Sequence, residues 1–367
     1  MNDLPCGERV VRCLRGEPVD RVPFGVGLGW TPWEQTLQRW RAESGQPHLD
    51  VARALSYDAS FALPELECGV LPHFAETVLE ESGDYIVTRD WRGITMRNRR
   101  DRGSMPEFLD YPVKTKQDWR RLKEERLRVD EPGRVRQNWP EFRARLRRTG
   151  EAVQVGAFPW GVFGTARDLM GAELLLVSFY DEPELVREVM GHLTTLWLTL
   201  WESVAAEVPI DHIHIWEDMA GRQGSLISPA MLEQFMMPCY DRITAFARAH
   251  DVRLTSVDTD GNCRELAPVF LRHGVNVMFP FEVQAGNDVR DYRRQYPGLG
   301  MMGGLDKRAL ARSKEAIDRE VNLADAMVRT GRYVPSFDHL IPPDAGWELF
   351  RYAAERLREV CNGHPGG

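Results

Sequence analysis

Residues Arg253–Asn262 read RLTSVDTDGN. The run opens like a strand, with Leu254, Thr255 and Val257 apolar or β-branched, and it closes on Asp258, Asp260 and the turn residues Gly261 and Asn262. Side chains two apart on a strand leave the same face, so both carboxylates are aimed one way at a strand's end. The same grammar recurs along the chain. Strands are expected at Val22–Leu28, Tyr57–Leu63, Ala152–Phe158, His212–Glu217, Arg253–Asp258, Val275–Glu282, Gly298–Gly304 and Tyr333–Asp338, each a short apolar or β-rich run bounded by turn signals.

Helical periodicity fills the gaps. Leu185, Val189, Leu193, Leu196 and Leu200 recur at spacings of four and three after an expected N-cap at Asp181. Ser228 and Pro229 open another helix, which Pro238 should break while starting the next helix through Ala247, and Ile317, Val321, Ala324 and Val328 share one side of a further helix that Gly331 is suited to end. Strand and helix in alternation predict an α/β fold, a single (β/α)8 TIM barrel over residues 1–367. Residues Glu81–Gly103 alternate apolar and polar around Asp90–Gly93, which predicts a β-hairpin insertion after the second strand. A doubly wound open sheet is the other fold consistent with βα alternation, but neither GxGxxG nor GxxxxGK[ST] follows the first strand.

The loops after the strands form the catalytic face of such a barrel. The expected strands end in Glu217 and Asp218, Asp258 and Asp260, Glu282, Asp306 with Lys307, and Asp338 with His339. Converging carboxylates need a cation, a shared proton or a raised pKa. His339, Asp258, Glu217 and Lys307 are therefore the candidate catalytic groups. Glu282 and Asp218, with the aromatic Trp30, Trp160 and Phe158 from two Gly- and Trp-rich loops, are the candidate substrate-binding residues. Asp258 and Asp260 read as part of a site for a metal or a positively charged group, and His339 suits a general acid/base or a metal ligand. His212 and His214, alternating with Ile213 and Ile215, are read as packing residues, and Cys239 and Cys263 as small core residues.

The totals fit a soluble globular enzyme. With 43% hydrophobic residues and a formal net charge of -8, the chain is not built to bind nucleic acid. No apolar run approaches the roughly 18–20 residues that span a bilayer, and the first residues lack the apolar core of a secretory signal, so neither membrane insertion nor export is expected and the location expected is cytoplasmic. Six scattered cysteines without a CxxC pair suggest reduced thiols.

The segments RVVRCLRGEPVDRVPFG, GTARDLMG, SPAMLEQFMMPCYDRI, GGLDKRALARSKEAI and SFDHLIPPD resemble the uroporphyrinogen decarboxylase superfamily over most of the chain. The resemblance implies a (β/α)8 barrel with its site at the strands' C-terminal ends. It offers two chemistries, decarboxylation of a porphyrinogen and methyl transfer with corrinoid proteins. Decarboxylases of the superfamily carry arginines after the first strand, whereas FGVGLGWTPWEQT here has none. The methyltransferase branch holds zinc through a His-x-Cys pair before Gly-Asn and a later Cys, and by resemblance these positions fall on Asp258, Asp260 and Asp338 or His339. Carboxylates in place of thiolates suit a harder metal or none. The expected function is a methyltransferase or demethylase acting on a small molecule at the barrel mouth, with a corrinoid or folate as methyl carrier. In that reading Asp258, Asp260 and His339 bind a divalent metal, zinc being one option. A corrinoid protein and a second copy of the chain, in a homodimer, are the candidate partners. The alternatives are a decarboxylase of a pyrrole-like or other electron-rich acid, and a non-catalytic barrel that binds a small molecule or corrinoid.

Overall fold

The computed structural model describes residues 3–59, 61–100 and 105–364. In chain order its strands are β1 (Phe61–Ala62), β2 (Thr77–Glu81), β3 (Tyr85–Arg89), β4 (Thr95–Arg99), β5 (Glu107–Asp110), β6 (Ala152–Val155), β7 (His212–Trp216), β8 (Ala220–Gly221), β9 (Gly224–Ser225), β10 (Leu254–Asp258), β11 (Val277–Phe279), β12 (Gly300–Met302) and β13 (Tyr333–Val334). Seven of them form a parallel sheet in the order β1-β6-β7-β10-β11-β12-β13. Spatial order follows chain order and helices occupy the connections, which is the build of a barrel wall.

The expected first strand, Val22–Leu28, forms no ladder. The segment instead bridges the two edges of the sheet through side chains and single backbone contacts. Beside β1, Asp58 donates its N–H to the Phe24 carbonyl and its carboxylate accepts from the Phe24 N–H at 2.8 Å. Beyond β13, Gly29 lies so close to Phe337 that a Cβ would fall 1.9 Å from the Phe337 carbonyl oxygen. Turns at Gly25 and Gly27, both with positive φ, prevent the extended run that a ladder needs.

Between β1 and β6 the chain builds a separate antiparallel sheet, β2-β3-β4-β5. The Asp90 carboxylate accepts from the Arg92 and Ile94 N–H groups and shapes the turn between β3 and β4. Residues 101–103 of the expected hairpin lie outside the described residues.

A continuous apolar core lies between strands and helices. Helix Pro183–Ala205 buries Leu185, Val189, Leu193, Leu196 and Leu200, the stripe that its periodicity predicts. Each such side chain contributes about 1.5–3 kcal/mol on burial. Its N-cap is Glu182 with no side-chain cap, because Asp181 already closes the preceding helix, Ala172–Asp181. Ser228 does cap the next helix, accepting from the Met231 N–H. Pro238 lies in the first turn of a new helix, Met237–Ala249, where no N–H is required, as expected; the π-turn over Leu232–Met236 runs directly into it, so the helical course is continuous. Among the described residues no helix is long and apolar enough to cross a membrane.

Candidate active site

Strand parity organises the site. Register pairs Asp258 with Trp216 on β7 and with Phe279 on β11, and one residue pair below, Ser256 pairs with His214 and Val277. Paired residues of parallel strands point to the same face, so Trp216, Asp258 and Phe279 form a row across three neighbouring strands at their C-terminal ends. Beneath it runs a polar column. His212 Nε2 lies 2.7 Å from Ser256 Oγ, Ser256 Oγ lies 3.4 Å from His214 Nδ1, and His214 Nε2 lies 3.8 Å from the Asp258 carboxylate. Burial lowers both imidazoles, His214 to about 4, so they are neutral at neutral pH.

Asp258 is 8% exposed, and no hydrogen bond to its carboxylate is found among the described residues. Burial, then the charges of Asp260 and Asp218, push its pKa well up. Asp260 is half-buried and pairs with His339 Nε2 at 3.2 Å, while its Oδ1 is buried without a partner. Burial opposes the imidazolium of His339, but the hydrogen bond and charge of Asp260 outweigh it and raise the pKa. Lys307 Nζ stands 3.8 Å from Glu282 and 3.6 Å from Asp338. Asp338, fully buried, also accepts from the Val283 and Lys307 N–H groups and so ties three strand-end loops together. Glu282 accepts from the Gly261 N–H at 3.2 Å, which holds the Asp260 loop against the next.

The family model of uroporphyrinogen decarboxylase (URO-D) matches residues 84–360, well over half of the chain. The chain belongs to the uroporphyrinogen decarboxylase family. Its fold is similar to that of a methyltransferase from Methanosarcina mazei, with a TM-score of 0.59 and 15% identity over 98% of this chain and 99% of that one. At that identity the likeness speaks for the fold. No curated protein is significantly similar.

In this uroporphyrinogen decarboxylase family member the strand-end acids do not all reach the mouth. Glu217 has the opposite parity to Trp216 and turns outward. Its oxygens accept from the N–H groups of Val162, Phe163 and Gly164 and from the Tyr240 hydroxyl, so it caps helix Val162–Met170 and touches no cleft. Gly161 makes this possible, because a Cβ there would fall 1.6 Å from the Trp216 carbonyl oxygen. Glu217, expected among the catalytic groups, is held here by three amide donors and the Tyr240 hydroxyl. Asp218 pairs with Arg167 at 2.8 Å, and that guanidinium also lies over the Trp216 ring. Asp306 accepts from its own helix turn at Arg308.

The aromatic candidates separate. Trp30 is 2% exposed, donates to the Pro335 carbonyl and packs among Phe24, Tyr57, Phe337 and Phe350, so it is core and not pocket wall. Trp160 is half-buried against Trp91. Phe158 stands 67% exposed on the rim, edge-on to Trp216.

The three expected metal ligands, Asp258, Asp260 and His339, take different partners. Asp260 is engaged by His339, Asp258 faces His214, and among the described residues no three His, Cys, Asp or Glu side chains converge as a metal-binding group. No step below is routed through a metal. Trp216, Phe279, Arg167, Ser256 and His214 belong to the site, yet were not candidates from sequence. The period-two run His212, His214, Trp216 carried the signal, since all three share the parity that faces the interior.

Proposed function

We propose that the chain is a uroporphyrinogen decarboxylase-like methyltransferase or demethylase, acting on a small molecule at the C-terminal ends of the parallel strands. In the same reading the seven-stranded sheet is the larger part of a (β/α)8 barrel, with the antiparallel sheet as its insertion. The observation that carries the functional proposal is the Asp260–His339 pair, in which the carboxylate raises the pKa of an imidazole at the strand ends, two residues on from the buried Asp258. When a methyl group leaves a heteroatom, His339 gives that atom a proton; when methyl arrives on an acceptor, the imidazole takes the acceptor's proton. Asp260 orients the ring and stabilises its charge. Asp258 and Glu282 orient the substrate, and Lys307 stands 3.8 Å from Glu282 as its ion-pair partner.

A corrinoid or folate, taken as a second substrate, would carry the methyl group. Leu63, Phe158 and Leu226 are 44%, 67% and 41% exposed just beyond β1, β6 and β9, apolar side chains that a carrier protein would cover. The acidic mouth disfavours the decarboxylase alternative: Lys307 and Arg167 are already matched by carboxylates and offer a substrate acid no free partner.

The test follows demethylated product by mass spectrometry when methylated amines, methoxyarenes and methyl thioethers are supplied anaerobically with either pre-reduced cob(I)alamin or tetrahydrofolate. His339→Gln should reduce kcat about 10²–10⁴-fold while leaving substrate binding intact. Failure of every donor, or full turnover in His339→Gln, would refute the proposal.

A further inference from the structure

Three side chains stand abreast at the mouth: Trp216, Asp258 and Phe279, register partners on adjacent strands about 4.8 Å apart. Charge is not balanced around them. Asp218 is matched by Arg167 at 2.8 Å, Asp260 by His339 at 3.2 Å, and Glu282 and Asp338 share Lys307 at 3.8 and 3.6 Å. Five carboxylates thus face three cationic side chains. Asp258 is buried, its side chain 12% exposed, and among the described residues the Lys, Arg or His nitrogen within 4 Å of its carboxylate is that of the neutral His214; Asp260 Oδ1 is buried with no hydrogen-bond partner. The missing component is positive, and it is bordered by rings. A compact hydrated cation would need several converging oxygens, which the described residues do not supply. A cation whose charge is spread over alkyl groups needs instead one carboxylate and aromatic surface.

We infer that the mouth binds a substituted ammonium ion, its charge against Asp258 and its alkyl groups against Trp216 and Phe279. The inference rests on the mouth being the active site and names the substrate class for it. Arg167 already lies 5.2 Å from the centre of the Trp216 ring, so that ring accepts cationic company, and Asp218 neutralises the guanidinium. Phe279 is held by His214 beneath it, ring centres 5.2 Å apart, and the column from His212 through Ser256 keeps His214 in place. A bound ammonium supplies the charge whose absence leaves the Asp258 proton hard to remove, with Asp260 and Asp218 as the opposing neighbours.

Isothermal titration calorimetry on the full chain, with choline and with its uncharged isostere in which carbon replaces the quaternary nitrogen, tests this directly. Choline should bind at least tenfold more tightly than the isostere. Asp258→Asn should lose at least tenfold for choline and little for the isostere, and Phe279→Leu should weaken choline several-fold, with unfolding curves showing both variants folded. Equal affinity for the two probes, no binding of either, or unchanged choline affinity in folded Asp258→Asn would overturn the inference. The assay needs no turnover, so its failure is separate from failure of methyl transfer: choline binding without demethylation of any amine would preserve this inference and count against the reaction.

Discussion

Glu217 provides the sharpest separation of structure from chemistry. Its carboxylate has no exposure and accepts four hydrogen bonds, from Val162 (3.1 Å), Phe163 (2.6 Å), Gly164 (3.1 Å) and the Tyr240 hydroxyl (2.6 Å). Glu217→Ala strands the buried Tyr240 hydroxyl and the amides of a helix's first turn. Each stranded donor costs about 1–3 kcal/mol, and with some relief from water entering the vacated space the loss should be about 3–5 kcal/mol. A second signature comes from pH. Burial pushes the Glu217 pKa up to about 7, against the hydrogen bonds that lower it. A carboxyl whose folded pKa exceeds its unfolded value, about 4.3, contributes fully below the unfolded pKa and loses that contribution as pH rises through the folded one. The window therefore runs from about pH 4 to 7 and is worth about 4 kcal/mol. Urea unfolding followed by circular dichroism at both ends of that window should show this slope in the wild type and its absence in Glu217→Gln. An Ala variant as stable as wild type, or a Gln variant that keeps the slope, would refute the reasoning. A Gln variant of unchanged stability that loses turnover would return Glu217 to the chemistry.

Trp30→Ala should cost about 3–5 kcal/mol in urea unfolding, because it empties a site surrounded by four aromatic rings, yet leave choline binding per folded molecule unchanged. Lys307→Met leaves Asp338 buried without its cation and should destabilise by about 3 kcal/mol, the low end for a broken buried pair because Asp338 keeps two amide donors. His273 is clasped by Asp241 at 2.6 Å and Glu233 at 2.9 Å; burial opposes its charge, but the two acids raise its pKa. Its stabilisation is complete below the unfolded value of about 6.5 and fades as pH rises through the raised folded value, so an NMR titration should find that value high and His273→Gln should lose this pH dependence.

The architecture was legible because it rests on local signals. Seven of the eight expected strands contain the observed parallel strands, since β-rich runs bounded by turn residues are fixed by short-range chemistry. Val22–Leu28 has the same composition, and its failure to pair arises from distant neighbours: Asp58 takes up its backbone on one side and Phe337 crowds it on the other. The site was legible in its acids but not in their directions. Asp258 and Asp260 share the inward parity, whereas Glu217, one residue past Trp216, points to the helix layer. Parity counted from His212 would have separated them. Arg167 could not be found in this way, because its tie to Asp218 crosses from helix Val162–Met170 to the loop after β7 and depends on tertiary packing.

The central claim is that the Asp260–His339 pair handles the proton for chemistry at an acidic mouth. The most direct measurement is the pH profile of demethylation, as kcat, for wild type, His339→Gln and Asp260→Asn. With His339 as the acid, wild-type kcat falls as pH rises through the raised imidazole pKa, the fall moves to lower pH in Asp260→Asn, and His339→Gln is slow and flat across that limb. An identical alkaline limb in all three proteins would contradict the account.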